Sequence, residues 1–162
     1  MPIHFEDLDV VSQVQGLNSA LIVPCTMCPG ATVAVREQKP FMQFFKSIFK
    51  SPPFEKYIKD LQLRLKEKGV KAKVFKPRFY HEWFMCMWTS GKREKLKKEM
   101  KNYDAAIVLG CDSATETVRM AVESPRTTVI EGMKVGGIMN AKLKFRLPCN
   151  ITFEDCKTVP LS

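Results

Sequence analysis

The strongest constraint on what this chain can fold into is a pair of short, unbroken apolar runs, each of which stops at a cysteine. Leu21-Ile22-Val23 passes through Pro24 into Cys25, and Ala105-Ala106-Ile107-Val108-Leu109 passes through Gly110 into Cys111. Runs of this length, bounded by turn residues, read as buried strands. The first continues as Thr26-Met27-Cys28-Pro29-Gly30, a Cys-x-x-Cys followed by strong turn formers. A strand that ends in cysteine just before a helix is where an open α/β sheet presents chemistry, because its ligands bind beyond the carboxyl ends of the strands.

The segments around these runs alternate. Val10, Val11, Val14 and Leu17 have a helical period that Gly16 and Asn18 stop. The first strand is Ser19 to Pro24, and Thr32 to Gln38 continues as a helix until Pro40. Phe41, Phe44, Phe45, Ile48 and Phe49 then share one helical stripe within the Phe-rich segment 41–54, which serves as core or as a docking surface. Phe54 to Lys68 predicts a helix with Phe54, Ile58, Leu61 and Leu65 inward and Gly69 at its end. Lys71 to Lys76 alternates as an edge strand would, and Arg78 to Thr89 is aromatic-rich, with His81 and Cys86. After the third strand, Ser113-Ala114-Thr115-Glu116 matches a capping box that opens a helix over Thr117 to Val122. Thr127 to Ile130 is a fourth strand, and Gly132 and Gly136-Gly137 read as flexible connections. From Ile138 to Phe153, apolar alternation predicts one or two strands in an antiparallel addition.

Strands alternating with helices predict one domain over residues 1–162, an α/β fold with a mostly parallel sheet and right-handed crossovers. The expectation is a three-layer Rossmann or flavodoxin-like architecture with a C-terminal antiparallel strand addition. With strand order 2-1-3-4, Cys25, Cys28, Cys86 and Cys111 all fall on loops at one edge.

The absence of an apolar run of about eighteen residues argues against a transmembrane helix. The N-terminus, Met1 to Asp7, has no basic region followed by an apolar one, so no secretion signal is read there. Six cysteines then belong to a reducing, cytoplasmic setting, where metal ligands and reactive thiols outnumber disulfides. The net charge of +9 is concentrated in Lys92 to Lys101, a run with helical spacing that reads as a solvated face. No aromatic platform or recognition motif accompanies it, which disfavours nucleic acid. Only His4 and His81 are present, and no nucleophile elbow, dinucleotide loop or phosphate loop occurs, which argues against a self-sufficient hydrolase or kinase.

Four thiolates satisfy a tetrahedral zinc site or an iron-sulfur cluster, and Cys25 and Cys28 have the spacing at which two sulfurs reach one ion from a turn. Cys86 and Cys111 would complete the set from neighbouring loops. The competing readings are a small buried core residue at each position and a thiol-disulfide oxidoreductase using Cys25 and Cys28. Against the redox reading, proline follows the second cysteine rather than lying between the two. His81 beside Tyr80 and Trp83 reads as a structural histidine, and Cys149 and Cys156 read as bystanders.

This arrangement resembles the cysteine-containing C-terminal-type domain associated with methylenetetrahydrofolate reductases of anaerobic bacteria and archaea. The residues that carry the resemblance are Val23-Pro24-Cys25-Thr26-Met27-Cys28, then Cys86, then Val108-Leu109-Gly110-Cys111-Asp112-Ser113-Ala114-Thr115. The resemblance implies zinc, or alternatively a [4Fe-4S] cluster, on Cys25, Cys28, Cys86 and Cys111. It further implies an accessory role in anaerobic one-carbon, folate or corrinoid-linked methyl transfer, with an enzyme subunit of that metabolism as protein partner. A homodimer is compatible with the sequence, and a basic nucleic-acid-binding module is a further alternative. Pro24 and Asp112 stand where the family has glycine, the Phe-rich segment has no counterpart, and no reductase barrel is present.

Overall fold

Where the sequence is apolar without interruption, strands form and pair in parallel. The computed structural model describes residues 3–43, 51–76, 84–122, 127–147 and 150–160. In chain order its elements are β1 (Ile3–Asp7), α1 (Val10–Gln13), β2 (Ser19–Pro24), α2 (Met27–Arg36), β3 (Met42–Gln43), α3 (Pro52–Glu67) and β4 (Lys71–Val74). A 3-10 turn (Met85–Met87) follows, then α4 (Ser90–Met100), β5 (Ala105–Leu109), α5 (Asp112–Ala121), β6 (Thr128–Glu131), β7 (Met133–Arg146) and β8 (Asn150–Pro160). They fall into two compact units, one made of residues 7–25 and 61–134, the other of residues 1–6, 26–60 and 135–162.

The first unit is built on a four-stranded sheet in the order β4-β2-β5-β6, parallel throughout. This is the 2-1-3-4 order under which the strand-end cysteines are expected at one edge. The central strands β2 and β5 lie in register from Ala20 opposite Ala105 to Pro24 opposite Leu109. Both are buried because their residues alternate between two covered faces. Leu21, Val23, Ala106 and Val108 share a buried cluster with Phe75, Trp88, Leu96 and Met100 and with Ala114 and Val118 of α5. At the amino ends of the strands, Asn18 N, Ser19 N and Ser19 Oγ donate to Oδ2 of Asp104 at 3.0, 2.9 and 3.0 Å. That one carboxylate joins the start of β2 to the start of β5.

The second unit corrects the expected C-terminal addition. The tail is antiparallel, as alternation predicts, but it does not extend the parallel sheet. β7 and β8 form a long hairpin in a separate sheet of order β1-β7-β8-β3. Its other members are β1, which the sequence reading left without a strand, and the two-residue β3. Gly136 and Gly137 are strand residues of β7 rather than a connection. A side chain at Gly136 would press on Glu6, and one at Gly137 on the carbonyl of Val159. Thr32 of α2 ties in β1, its Oγ1 donating to Ile3 O at 3.1 Å and accepting from Phe5 N at 3.3 Å. Phe41 is buried with its ring centroid 5.2 Å from that of Phe153; the other members of its stripe, Phe44, Phe45, Ile48 and Phe49, lie outside the described residues.

Helix starts also differ from expectation. α2 begins at Met27, not Thr32, and runs through Pro29 and Gly30. Proline is tolerated in a first turn because its missing N–H would have had no intrahelical acceptor there. For the same reason Pro52 and Pro53 open α3 instead of only ending a preceding helix.

Candidate functional site

A parallel sheet whose first strand is central has a switch point, here between β2 and β5, where successive crossovers leave in opposite directions. Outside the carboxyl ends of such a strand pair the two loops diverge, and ligands of open α/β sheets bind there. Cys25 directly follows β2, and Gly110-Cys111 directly follows β5. The pairing carries on past the strand ends, since Cys25 N donates to Leu109 O at 2.9 Å. A methyl group at position 110 would lie 3.2 Å from Cβ of Cys25, so glycine is what lets the two loops approach.

Each sequence-predicted ligand has a distinct setting. Cys25 is buried, 8% exposed, and is a member of the apolar cluster beneath α4 and α5. Cys111 is half-buried, packs against the same cluster, and is the N-cap residue of α5. Its carbonyl accepts from Ala114 N at 2.8 Å and Thr115 N at 2.9 Å, so the helix starts at Asp112 and the capping box expected from Ser113 and Glu116 is not the helix start. Ser113 instead lies inside α5, and its carbonyl accepts from Thr117 Oγ1 at 2.8 Å. Cys86 is exposed on the 3-10 turn. Met85 and Trp88 anchor that turn in the cluster that also contains Cys25. Cys28, half-buried, is the second residue of α2 and counts with the other unit.

Among the described residues, no group of three or more His, Cys, Asp or Glu side chains is arranged to hold a metal ion. What the fold brings to the switch point is Cys25 and Cys111, one on each flanking loop. The chemistry of the four-thiol set suits a thiophilic ion or cluster. His81 and Cys149 lie outside the described residues. Cys156 lies in the second unit, where burial and then the neighbouring charge of Asp155 raise its thiol pKa.

One feature escaped the sequence reading. A cavity of about 420 Å³ in the second unit is lined by Gln38, Lys39, Arg146, Thr152, Glu154 and Cys156 among others. Glu154 accepts from Arg146 at 2.6 Å and Lys144 at 3.0 Å, and those two bonds, Arg146's first, hold its carboxyl below the ordinary glutamate range. No short motif marks this cavity, because its residues come from α2, the loop after it and both hairpin strands.

Comparison with protein-family models, with curated proteins and with solved structures finds no match to the chain. No helix among the described residues is long and apolar enough to cross a membrane.

Proposed function

We propose that this chain is a metal-binding accessory protein of anaerobic one-carbon or corrinoid-linked methyl-transfer metabolism. Cys25, Cys28, Cys86 and Cys111 are its ligands, for zinc or for a [4Fe-4S] cluster. The observation that supports the reading is the position of Cys25 and Cys111, which flank the switch point of a parallel sheet from opposite loops. Cys28 follows Cys25 by three residues, the spacing at which two sulfurs can reach one ion from a turn. Cys86 is exposed on a turn that Met85 and Trp88 anchor, so in this proposal its side chain swings inward on ion binding and completes the set. The sheet is, in the same reading, that of a three-layer flavodoxin-like domain. Bound zinc would supply structural or Lewis-acid chemistry, and a cluster would carry electrons.

A second reading has its own support. α2 starts one residue before Cys28, so Cys25 and Cys28 straddle a helix start, as a redox-cycling dithiol does. Elemental analysis with an optical spectrum on anaerobically purified protein separates the readings. Iron and sulfide with visible absorption indicate a cluster, and stoichiometric zinc without colour indicates a zinc site. Metal-free protein whose two thiols titrate at a defined potential would replace the proposal with the dithiol.

A further inference from the structure

Lysine recurs at positions 92, 95 and 98, every third residue, which places it along one stripe of α4. Lys95 fixes where the stripe lies, because its Nζ donates to Lys76 O at 3.1 Å and stands 5.7 Å from the centroid of the Phe75 ring. Phe75 is buried in one cluster with Leu96 and Met100 of α4. Side chains alternate along a strand, so Lys71 and Lys73 share the α4 side of the sheet with Phe75, and both are exposed. As the crossover between β4 and β5, α4 runs back along the sheet, extending the stripe beside this edge strand.

These charges are not used internally. Among the described residues, none of Lys71, Lys73, Lys76, Lys92 and Lys98 has a carboxylate within ion-pair distance. In the second unit, by contrast, Lys39, Lys56, Lys142, Lys144 and Arg146 all pair with carboxylates. Their effect on the helix itself is mixed, since Lys98 lies in its last turn, where the dipole favours a cation. Lys92 and Arg93 occupy its amino-terminal turn, where the helix dipole disfavours cations, and desolvation lowers the pKa of Lys92. Lysines without an ion-pair partner in the fold are left to meet charge outside it.

We propose that this lysine surface of α4 and β4 docks an acidic face of a protein partner. The composition of the patch favours protein over nucleic acid. Every cation on the stripe is lysine, a point charge, whereas phosphate recognition favours the arginine fork. Among the described residues, the arginine of this helix, Arg93, is turned to Trp88 O at 3.4 Å and to Sδ of Met120 at 3.8 Å. Glu94 and Glu99 interrupt the basic run and would repel a continuous phosphate backbone, while cations scattered on a protein face can pair with them. The Phe75 ring is buried and offers no stacking platform. The inference rests on the accessory-protein reading only for the existence of a partner, and the thiols play no part in it.

The test uses the full chain, with labelled short poly-L-glutamate and a labelled DNA duplex as probes, read by fluorescence anisotropy at low and at physiological salt. Lys92→Gln/Lys95→Gln/Lys98→Gln is compared with Lys39→Gln/Lys56→Gln/Lys142→Gln, which removes the same charge from the other unit. The α4 variant should lose polyglutamate affinity by about tenfold or more, and the control by less than about threefold. Lys71→Gln/Lys73→Gln carries the same readout should the α4 variant lose its helical circular dichroism. Equal losses in the two sets, no polyglutamate binding at low salt, or tighter binding of the duplex than of polyglutamate at matched salt would each overturn the proposal. These results hold whether or not metal is bound, so they are separate from the fate of the thiol centre.

Discussion

A methyl group added at position 110 would meet Cβ of Ala114 at 2.7 Å and Cβ of Cys25 at 3.2 Å. Neither neighbour can rotate away, because a Cβ is fixed to its backbone. Gly110→Ala should therefore push the loop after β5 away from Cys25 and cost about 1–3 kcal/mol, read as a lower urea midpoint. An unchanged midpoint would mean that the loops are not held together as described. Asp104 acts at the opposite end of the same strands. Its bond with the Ser19 hydroxyl, then those with Asn18 N and Ser19 N, hold its carboxyl below the ordinary aspartate value. A carboxyl with a depressed folded-state pKa contributes stability above its unfolded value and loses it as pH falls through the folded one. Asp104→Asn should thus be less stable than the native chain at neutral pH, with the gap narrowing below about pH 4. A gap that stays constant down to acid unfolding would assign the effect to something other than this charge.

Among the elements, legibility followed the environment of each strand. β2 and β5 were readable because burial on both faces demands apolar residues at every position, whereas strand order depends on packing that the apolar pattern does not encode. β1 and β3 were not, since Ile3-His4-Phe5-Glu6-Asp7 mixes polar and apolar residues on a partly exposed strand and Met42–Gln43 is too short to show a period. The alternation from Ile138 onward made most of β7 legible, but its start was hidden by Gly136 and Gly137, which signal turns by composition but here allow close approach to Glu6 and to β8. At the site, the two strand-end cysteines were legible, while the start of α5 was not. The Ser-x-x-Glu pattern competes with a strand that ends directly in an extended Cys111, and the backbone conformation decides the cap. The far end of the β7–β8 hairpin separates its two faces. Lys144 and Arg146 pair with Glu154 on one, and Leu143 and Phe145 are exposed on the other. Phe145 is 74% exposed, so Phe145→Thr should leave the unfolding free energy within about 0.5 kcal/mol of native. A larger loss would show that this apolar face is covered in solution.

For the molecule as a whole, the two units divide the labour. One carries the antiparallel hairpin with its Lys144, Arg146 and Glu154 ion pairs; the other holds the parallel sheet, the switch point and the lysine stripe of α4. The central claim is that sulfur atoms supplied from separate loops of that sheet surround one ion. X-ray absorption at the metal edge of anaerobically purified protein counts those sulfurs directly. Four sulfur neighbours at about 2.3 Å are expected, falling to three in Cys111→Ser where the metal is zinc. A first shell of nitrogen and oxygen, or a sulfur count at the zinc edge that Cys111→Ser leaves unchanged, would contradict it.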